Sequence, residues 1–260
     1  MIPRLLTLAL LTSLAVSASA QTAFEPVADQ IRAQPINIAA AYTLVSLTPN
    51  EKKDPRESYS VTRTLAADGT VQEERANALY QTSQSFRADG TLLTSRVNDL
   101  RRGIVTEAHT SADRSSIETV VTEKGKVKSD KKMGLKPGVV LREEIQGLIL
   151  QSWEYGIRDG LKFQSLSPDG GMLGDFQIVF KTAADPTTLS KKYTYPAEFK
   201  TFLATRNSYV VADMSLQGFA AFFYPHHFYL IYVETTSGLE LVAYYGEDPS
   251  APTFQMITNG

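Results

Sequence analysis

Residues 226–233 read His-His-Phe-Tyr-Leu-Ile-Tyr-Val, and this stretch decides the fold. In an extended strand, successive side chains point to opposite faces of the sheet. The two alternating sets are His226, Phe228, Leu230 and Tyr232 on one face, and His227, Tyr229, Ile231 and Val233 on the other. Because both faces are apolar, such a strand needs cover on both sides, by a helix on one and by core, cavity or ligand on the other.

The chain around this strand is rich in aromatic residues and in hairpin signals. Of its 25 Phe, Tyr and Trp residues, 15 lie at or beyond Tyr193. Turn residues between apolar runs predict antiparallel hairpins. The predicted hairpins join Leu161–Leu166 to Phe176–Phe180 through residues 167–171, and residues 226–233 to Leu239–Tyr245 through residues 236–238. The second half of the chain is therefore predicted to be a sheet that encloses something large.

The first half has the pattern of an antiparallel meander. Its turn signals are Ala67-Asp68-Gly69, Ala88-Asp89-Gly90, Arg102-Gly103, Ser111-Ala112-Asp113 and Lys124-Gly125. Asp-Gly between alternating segments favours a hairpin because its residues adopt the positive φ angles that tight turns need. The apolar alternation between these turns is sparse, which predicts that one face of this part of the sheet meets solvent.

One segment has helical spacing. After Lys136-Pro137-Gly138, apolar residues recur at steps of three and four from Leu141 to Ser152. This period predicts an amphipathic helix over Val139 to Asp159, although Gly147 and Gly156 each lower its helical propensity by about 1 kcal/mol. A second, shorter helix is predicted from Phe24 to Arg32. The predicted fold is mainly β (α+β), a strongly curved antiparallel sheet or half-barrel packed on one long helix.

Composition excludes several classes of protein. The chain has 260 residues, of which 43% are hydrophobic and 21% charged, and it contains no cysteine. These values exclude a disordered chain, a collagen and a disulfide scaffold. With 26 basic against 28 acidic residues there is no excess of positive charge to bind a nucleic-acid backbone. We expect no nucleic-acid partner.

The N-terminal twenty residues are typical of a secretory signal peptide. Arg4 precedes an apolar run from Leu5 to Val16, and Ser17-Ala18-Ser19-Ala20 supplies a small-residue cleavage pattern before Gln21. A membrane anchor is the alternative, but the run is shorter than the ~20 apolar residues a spanning helix needs. We expect cleavage near Ala20, a periplasmic or secreted protein, no membrane span, and one β-rich domain over residues 21–260.

The order of these elements resembles a known family. A signal peptide, a polar antiparallel meander, one amphipathic helix and closing strands that end in Gly246-Glu247-Asp248-Pro249 are similar to the curved half-barrels of bacterial envelope proteins. These are the lipoprotein-carrier family (LolA/LolB-like) and related families of unknown function. In the carriers the concave face holds lipid acyl chains, so the resemblance implies a lipid-like ligand.

No sequence pattern points to catalysis or to a cofactor. A Gly-x-Ser-x-Gly motif, a His-Glu-x-x-His motif and a phosphate-binding Gly-rich loop are all absent, and His109, His226 and His227 are the only imidazoles. Neighbouring residues of a strand point to opposite faces, so His226 and His227 are poorly placed to share a metal. A pair of distant carboxylates stays open as a third possibility. We expect a protein that is not an enzyme and has no cofactor and no metal.

Two groups of residues have both a functional and a structural interpretation. Aromatic and aliphatic side chains near the C-terminal strands either line a ligand pocket or form ordinary core. The predicted ligand-binding residues are Trp153, Tyr155, Phe219, Phe222, Phe228, Leu230 and Tyr232. Lys124, Lys126 and Lys128 alternate, and on one strand face they either dock an anionic lipid or acidic partner, or protect an edge strand from aggregation.

The sequence therefore predicts an exported, non-catalytic protein that binds a hydrophobic or amphipathic, lipid-like molecule in the cell envelope. The alternative is a structural or accessory subunit of an envelope protein complex.

Overall fold

The computed structural model describes residues 41–47, 58–157, 160–167, 173–218, 227–236, 238–247 and 252–258. Within them lie the helices α1 (Ile145–Glu154) and α2 (Ala197–Leu203) and the 3-10 helices Arg142–Glu144 and Pro186–Leu189. The predicted signal peptide, the predicted helix from Phe24 to Arg32, and the residues Phe219, Phe222 and His226 lie outside the described residues. Neither described α-helix is long and apolar enough to cross a membrane.

The described ranges contain fifteen strands. These are β1 (Ala41–Leu47), β2 (Tyr59–Leu65), β3 (Val71–Ala76), β4 (Tyr80–Phe86), β5 (Leu92–Asp99), β6 (Ile104–Thr110), β7 (Ser116–Glu123), β8 (Lys126–Gly134), β9 (Val139–Leu141), β10 (Leu161–Leu166), β11 (Gly174–Ala183), β12 (Tyr209–Leu216), β13 (His227–Thr235), β14 (Gly238–Glu247) and β15 (Thr253–Thr258). The predicted meander and both predicted hairpins are present.

All fifteen described strands belong to one sheet, and the two strands at its ends, β8 and β9, do not pair with each other. Its order is β8-β7-β6-β5-β4-β3-β2-β1-β15-β14-β13-β12-β11-β10-β9. Neighbours are antiparallel except for β9 and β10, which run parallel. Strands β8 and β9 follow each other in the chain, yet they stand at opposite ends of the sheet.

The two ends of this sheet meet in a shared core. Val139 and Leu141 of β9 are buried in one cluster with Val71 of β3, Phe86 of β4 and Ile117 of β7. A sheet can bring its last strand onto strands near its first only if it curves strongly. The prediction of a mainly β, strongly curved antiparallel sheet is therefore confirmed.

The prediction of one long helix over Val139 to Asp159 was wrong. Residues Val139–Leu141 form strand β9, a 3-10 turn follows, and α1 covers only ten residues, Ile145–Glu154. The apolar run of β9 is buried and pairs with β10. Two of its three residues are β-branched valines, which favour a strand. The helix ends because Gly156, with φ of 72°, adopts the left-handed conformation.

The aromatic strand β13 is covered on both faces, as predicted. We call the two buried groups the α1-side cluster and the α2-side cluster. The α1-side cluster is Val140, Ile145, Leu148, Ile149, Leu161, Phe163, Ile178, Val210, Ala212, Met214, Tyr232 and Leu239. The α2-side cluster is Leu47, Tyr193, Tyr195, Phe199, Leu203, Tyr209, Val211, Tyr229, Ile231, Val242, Ala243, Tyr245, Phe254 and Met256. Each helix therefore packs on one side of the strands around β13.

The prediction that three lysines share a strand face was also wrong. Lys124 lies in the turn between β7 and β8, with φ of 50°. Between Val127 and Ser129 the pairing with β7 shifts register, so Lys128 sits at a β-bulge. Turn and bulge break the strict alternation on which the prediction relied.

Candidate ligand-binding site

The structure brings four of the seven predicted ligand-binding residues into the α1-side cluster. Tyr232 is a fully buried member, and Trp153, Phe228 and Leu230 are half-buried and pack against the cluster. Tyr155 is half-buried and caps the C-terminus of α1, one residue beyond the helix. The fold therefore groups residues that lie some eighty positions apart in the chain.

Aromatic pairs hold the half-buried members of this group. Trp153, in the last turn of α1, packs its ring against Phe180 of β11 with ring centroids 5.3 Å apart. Phe228 of β13 stacks on Tyr244 of β14 at 6.5 Å. Offset or tilted aromatic pairs of this kind stabilise each other beyond their buried area. Sequence analysis missed Phe180 and Tyr244, although Phe176, Ile178 and Phe180 alternate on one face of β11.

Four of these side chains form an apolar surface that is held in place by the core and is partly exposed to solvent. Trp153, Phe180, Phe228 and Leu230 are each half-buried, with their inner atoms against the α1-side cluster. An apolar group laid on such a surface removes further apolar area from water without requiring the core to open. We define the α1-side surface as these four residues.

Tyr232 forms part of the floor beneath this surface. Its side chain is fully buried, and its hydroxyl has no hydrogen-bond partner among the described residues. Burial raises the pKa of the Tyr232 phenol, and the positive charge of Arg63 opposes this shift. A buried hydroxyl without a partner costs about 1–3 kcal/mol, so Tyr232 carries a polar group that the described part of the chain does not satisfy.

A buried charged group lies between the first strands and the start of α1. Arg63 of β2 pairs with Glu73 of β3, and Arg75 approaches the same carboxylate at 2.5 Å. Arg63 also donates from Nη2 to Oε1 of Gln146 in α1 at 3.0 Å, and it lies over the ring of Tyr42. Burial alone would raise the pKa of Glu73, but Arg75 and Arg63 outweigh it and hold that pKa below its usual range.

A small cavity adjoins this charged group. Its volume is about 20 Å³. It is lined by Arg63, Val71, Glu73, Arg75, Phe86, Gly90, Glu143, Gln146 and Gly147. A space of this size accommodates a single water-sized group, so the charged group anchors α1 to the first strands and is not itself a lipid-sized pocket.

A second charged group lies on the opposite face of the sheet. Asp213 of β12 binds Nδ1 of His227 at 2.8 Å and Nζ of Lys181 at 2.6 Å. The His227 ring stacks on Tyr229 with centroids 5.9 Å apart. Burial raises the pKa of Asp213, but the hydrogen bonds from His227 and Lys181 and their charges hold it below the usual value. Sequence analysis left the role of His227 open and missed its partner Asp213.

Among the residues that the structure describes, no group of three or more His, Cys, Asp or Glu side chains is placed to hold a metal ion. The described groups thus offer an apolar surface, a buried charged group on one face of the sheet, a partly exposed charged group on the other, and the unsatisfied hydroxyl of Tyr232.

The chain is similar in structure to a solved protein of unknown function. No family model and no curated protein matches the chain. Among solved structures, a β-barrel-like protein of the domain of unknown function DUF1849 from Brucella abortus aligns at 9% identity with a TM-score of 0.48. The alignment covers 85% of this chain and 95% of that one.

Proposed function

We propose that this protein is exported to the cell envelope and binds a hydrophobic or amphipathic, lipid-like molecule there without catalysis. The observation that carries the proposal is the α1-side surface, where Trp153, Phe180, Phe228 and Leu230 are half-buried on one apolar cluster. Export is supported by Arg4, the apolar run from Leu5 to Val16 and the small residues before Gln21. The lipid-like character of the ligand is supported by the resemblance to the lipoprotein carriers.

Binding would be driven by removal of apolar area from water. An acyl chain that covers the α1-side surface gains about 25 cal/mol per Å² of apolar area buried on each partner. The rings of Trp153 and Phe180 are already fixed by mutual packing, so little side-chain entropy is lost when the ligand arrives. The α1-side surface therefore acts as a pre-organised wall for an apolar chain.

The chain contains a single tryptophan, and it lies in the proposed site. The fluorescence of Trp153 therefore reports on this surface alone. A fatty acid with bromine atoms on its acyl chain quenches tryptophan only at close contact. We expect titration with dibromostearic acid to quench Trp153 in a saturable way, while stearic acid without bromine competes and restores the emission.

Two variants distinguish binding at the proposed site from non-specific binding to exposed apolar side chains. Phe228→Ala removes one ring of the α1-side surface and should weaken the apparent affinity about tenfold, the loss expected when one ring contact of about 1.4 kcal/mol disappears. Leu100→Ala removes an exposed apolar side chain, 46% accessible, outside the α1-side cluster and should leave the titration unchanged. Absence of quenching, or equal weakening in both variants, would rule out this site.

A further inference from the structure

Strand β8 presents an open edge. It stands at one end of the sheet and pairs only with β7 among the described strands. All but two of its nine residues are exposed. The outward backbone N–H and C=O groups of an edge strand are ready to pair with another extended chain.

The regular part of this edge is short and well defined. The β-bulge at Lys128 disturbs the first residues of the strand. From Ser129 to Gly134 the pairing with β7 is continuous, with Lys131 opposite Thr119 and Lys132 opposite Glu118. Six residues in regular register match the length of an ordinary strand. An added chain would therefore pair along Ser129–Gly134.

The charge of the edge is positive. Strand β8 contains four lysines and one aspartate, and the whole β7–β8 hairpin, with its turn, has five lysines against three acidic residues. Lys128 pairs with Glu123 at 3.1 Å, whereas Lys131 and Lys132 make no ion pair among the described residues. Because adjacent side chains point to opposite faces, these two lysines place an ammonium group on each face of the edge.

The positive charge of β8 indicates which kind of extended chain can pair with it. A second copy of β8 laid antiparallel along the whole of Ser129–Gly134 would set Lys131 against Lys132, and like charges are destabilising across a strand pair. An extended segment with acidic residues opposite Lys131 and Lys132 would gain opposite-charge pairs together with backbone hydrogen bonds. The same lysines that disfavour self-association thus favour an acidic strand.

We propose that the β8 edge, over Ser129–Gly134, is a docking site for an acidic extended segment of another protein, which adds to the sheet as a further strand beside β8. This interaction is separate from ligand binding at the α1-side surface, which lies on other strands and on α1.

The test uses the full chain and a fluorescein-labelled peptide of eight residues, rich in Val and Thr, with two adjacent Glu at its centre. Fluorescence anisotropy should show saturable binding that weakens as salt is added. A matched peptide with two Lys in place of the Glu should not bind. The acidic peptide with N-methyl groups on all its backbone nitrogens should lose binding, because strand addition needs the N–H groups that face β8.

Two double variants locate the site. Lys131→Glu with Lys132→Glu should weaken peptide binding at least tenfold. Lys191→Glu with Lys192→Glu, which reverses another adjacent exposed pair outside β8, should not. Equal binding of the N-methylated peptide would overturn strand addition, and equal effects of the two double variants would overturn the site. Binding of vesicles that contain phosphatidylglycerol with no binding of the peptide would assign the lysines to a membrane surface instead.

Discussion

Two buried tyrosines differ in whether the side-chain hydroxyl has a hydrogen-bond partner, and this difference affects the stability of the fold. Tyr232 and Tyr245 are both fully buried, one in each cluster. The hydroxyl of Tyr245 donates to the carbonyl of Pro186 at 2.9 Å, whereas that of Tyr232 has no partner among the described residues. The same substitution, Tyr to Phe, should therefore change the free energy of unfolding differently at the two positions.

We expect Tyr245→Phe to lower the free energy of unfolding by about 1–2 kcal/mol, because it removes a hydrogen bond and leaves a buried carbonyl unpaired. Tyr232→Phe should leave that free energy unchanged or raise it by up to about 1 kcal/mol, because it removes an unsatisfied group. Urea denaturation of both variants measures the difference. A loss of stability in Tyr232→Phe equal to that in Tyr245→Phe would show that the Tyr232 hydroxyl is satisfied.

Asp213 gives the protein a defined response to acid. Its pKa is lowered in the folded state, so its contribution to stability is present above the ordinary aspartate value of about 3.9 and is lost as the pH falls through the lower folded value. Asp213→Asn should therefore make the fall in unfolding free energy below about pH 4 shallower. Urea titrations from pH 2.5 to pH 6 measure this slope. The exposed Asp130→Asn is the control, and an unchanged slope in Asp213→Asn would refute the assignment.

The sequence predicts single residues well where the local pattern carries the information. Trp153, Phe228, Leu230 and Tyr232 were found because they are large apolar residues at strand or helix spacing, and the fold groups them. Asp213 gave no such signal, because a lone carboxylate after an apolar run shows its role only when β13 places His227 beside it.

At the scale of elements, the sequence predicted correctly those strands that local signals define, and it did not predict the strand that depends on pairing with a distant segment. Asp-Gly turns and alternation located the strands of the meander because both are read within a few residues. The run Val139–Leu141 fits a strand and a helix equally, and its parallel pairing with β10, more than twenty residues later, decides in favour of the strand. The short α2 was missed, since seven residues hold too few turns for a clear period.

Gly147 shows why a poor helix former stands inside α1. A Cβ at this position would lie 3.3 Å from Cα of Gly90, in the turn between β4 and β5. Next to it, Gln151 donates a hydrogen bond to the carbonyl of Asp89 at 2.5 Å. The glycine that weakens the helical pattern in the sequence thus lets the helix approach the turn closely.

At the scale of the whole molecule, Glu144 connects parts that are far apart in the chain. Its carboxylate is fully buried and accepts the backbone N–H of Leu92 at 3.0 Å and of Leu141 at 2.8 Å, and it pairs with Arg114. Arg114 also donates to the carbonyl of Val139 at 2.9 Å. This group joins β5, β9 and the turn between β6 and β7, so it fastens the two ends of the sheet together.

We expect Glu144→Gln to lower the free energy of unfolding by about 1–3 kcal/mol, because it removes the counter-charge of Arg114 and one acceptor of a buried hydrogen bond, while burial, which raises the pKa of Glu144, offsets part of the loss. Glu107→Gln breaks the exposed pair with Arg96 and should cost less than about 1 kcal/mol. Urea denaturation of the two variants gives the comparison. Similar losses would mean that Glu144 does not hold the ends of the sheet.

The order of strands in the sheet also determines when its two halves can pair during synthesis of the chain. Strand β1 pairs with β15, Thr43 opposite Thr258, and this pair joins the half that holds β2–β8 to the half that holds β9–β14. The ribosome makes residues 253–258 after the other described strands, so the two halves are not linked through the middle of the sheet until synthesis has reached them. Contacts between such distant residues form slowly. The junction of β1 with β15 is therefore expected to be among the last parts of the described sheet to form.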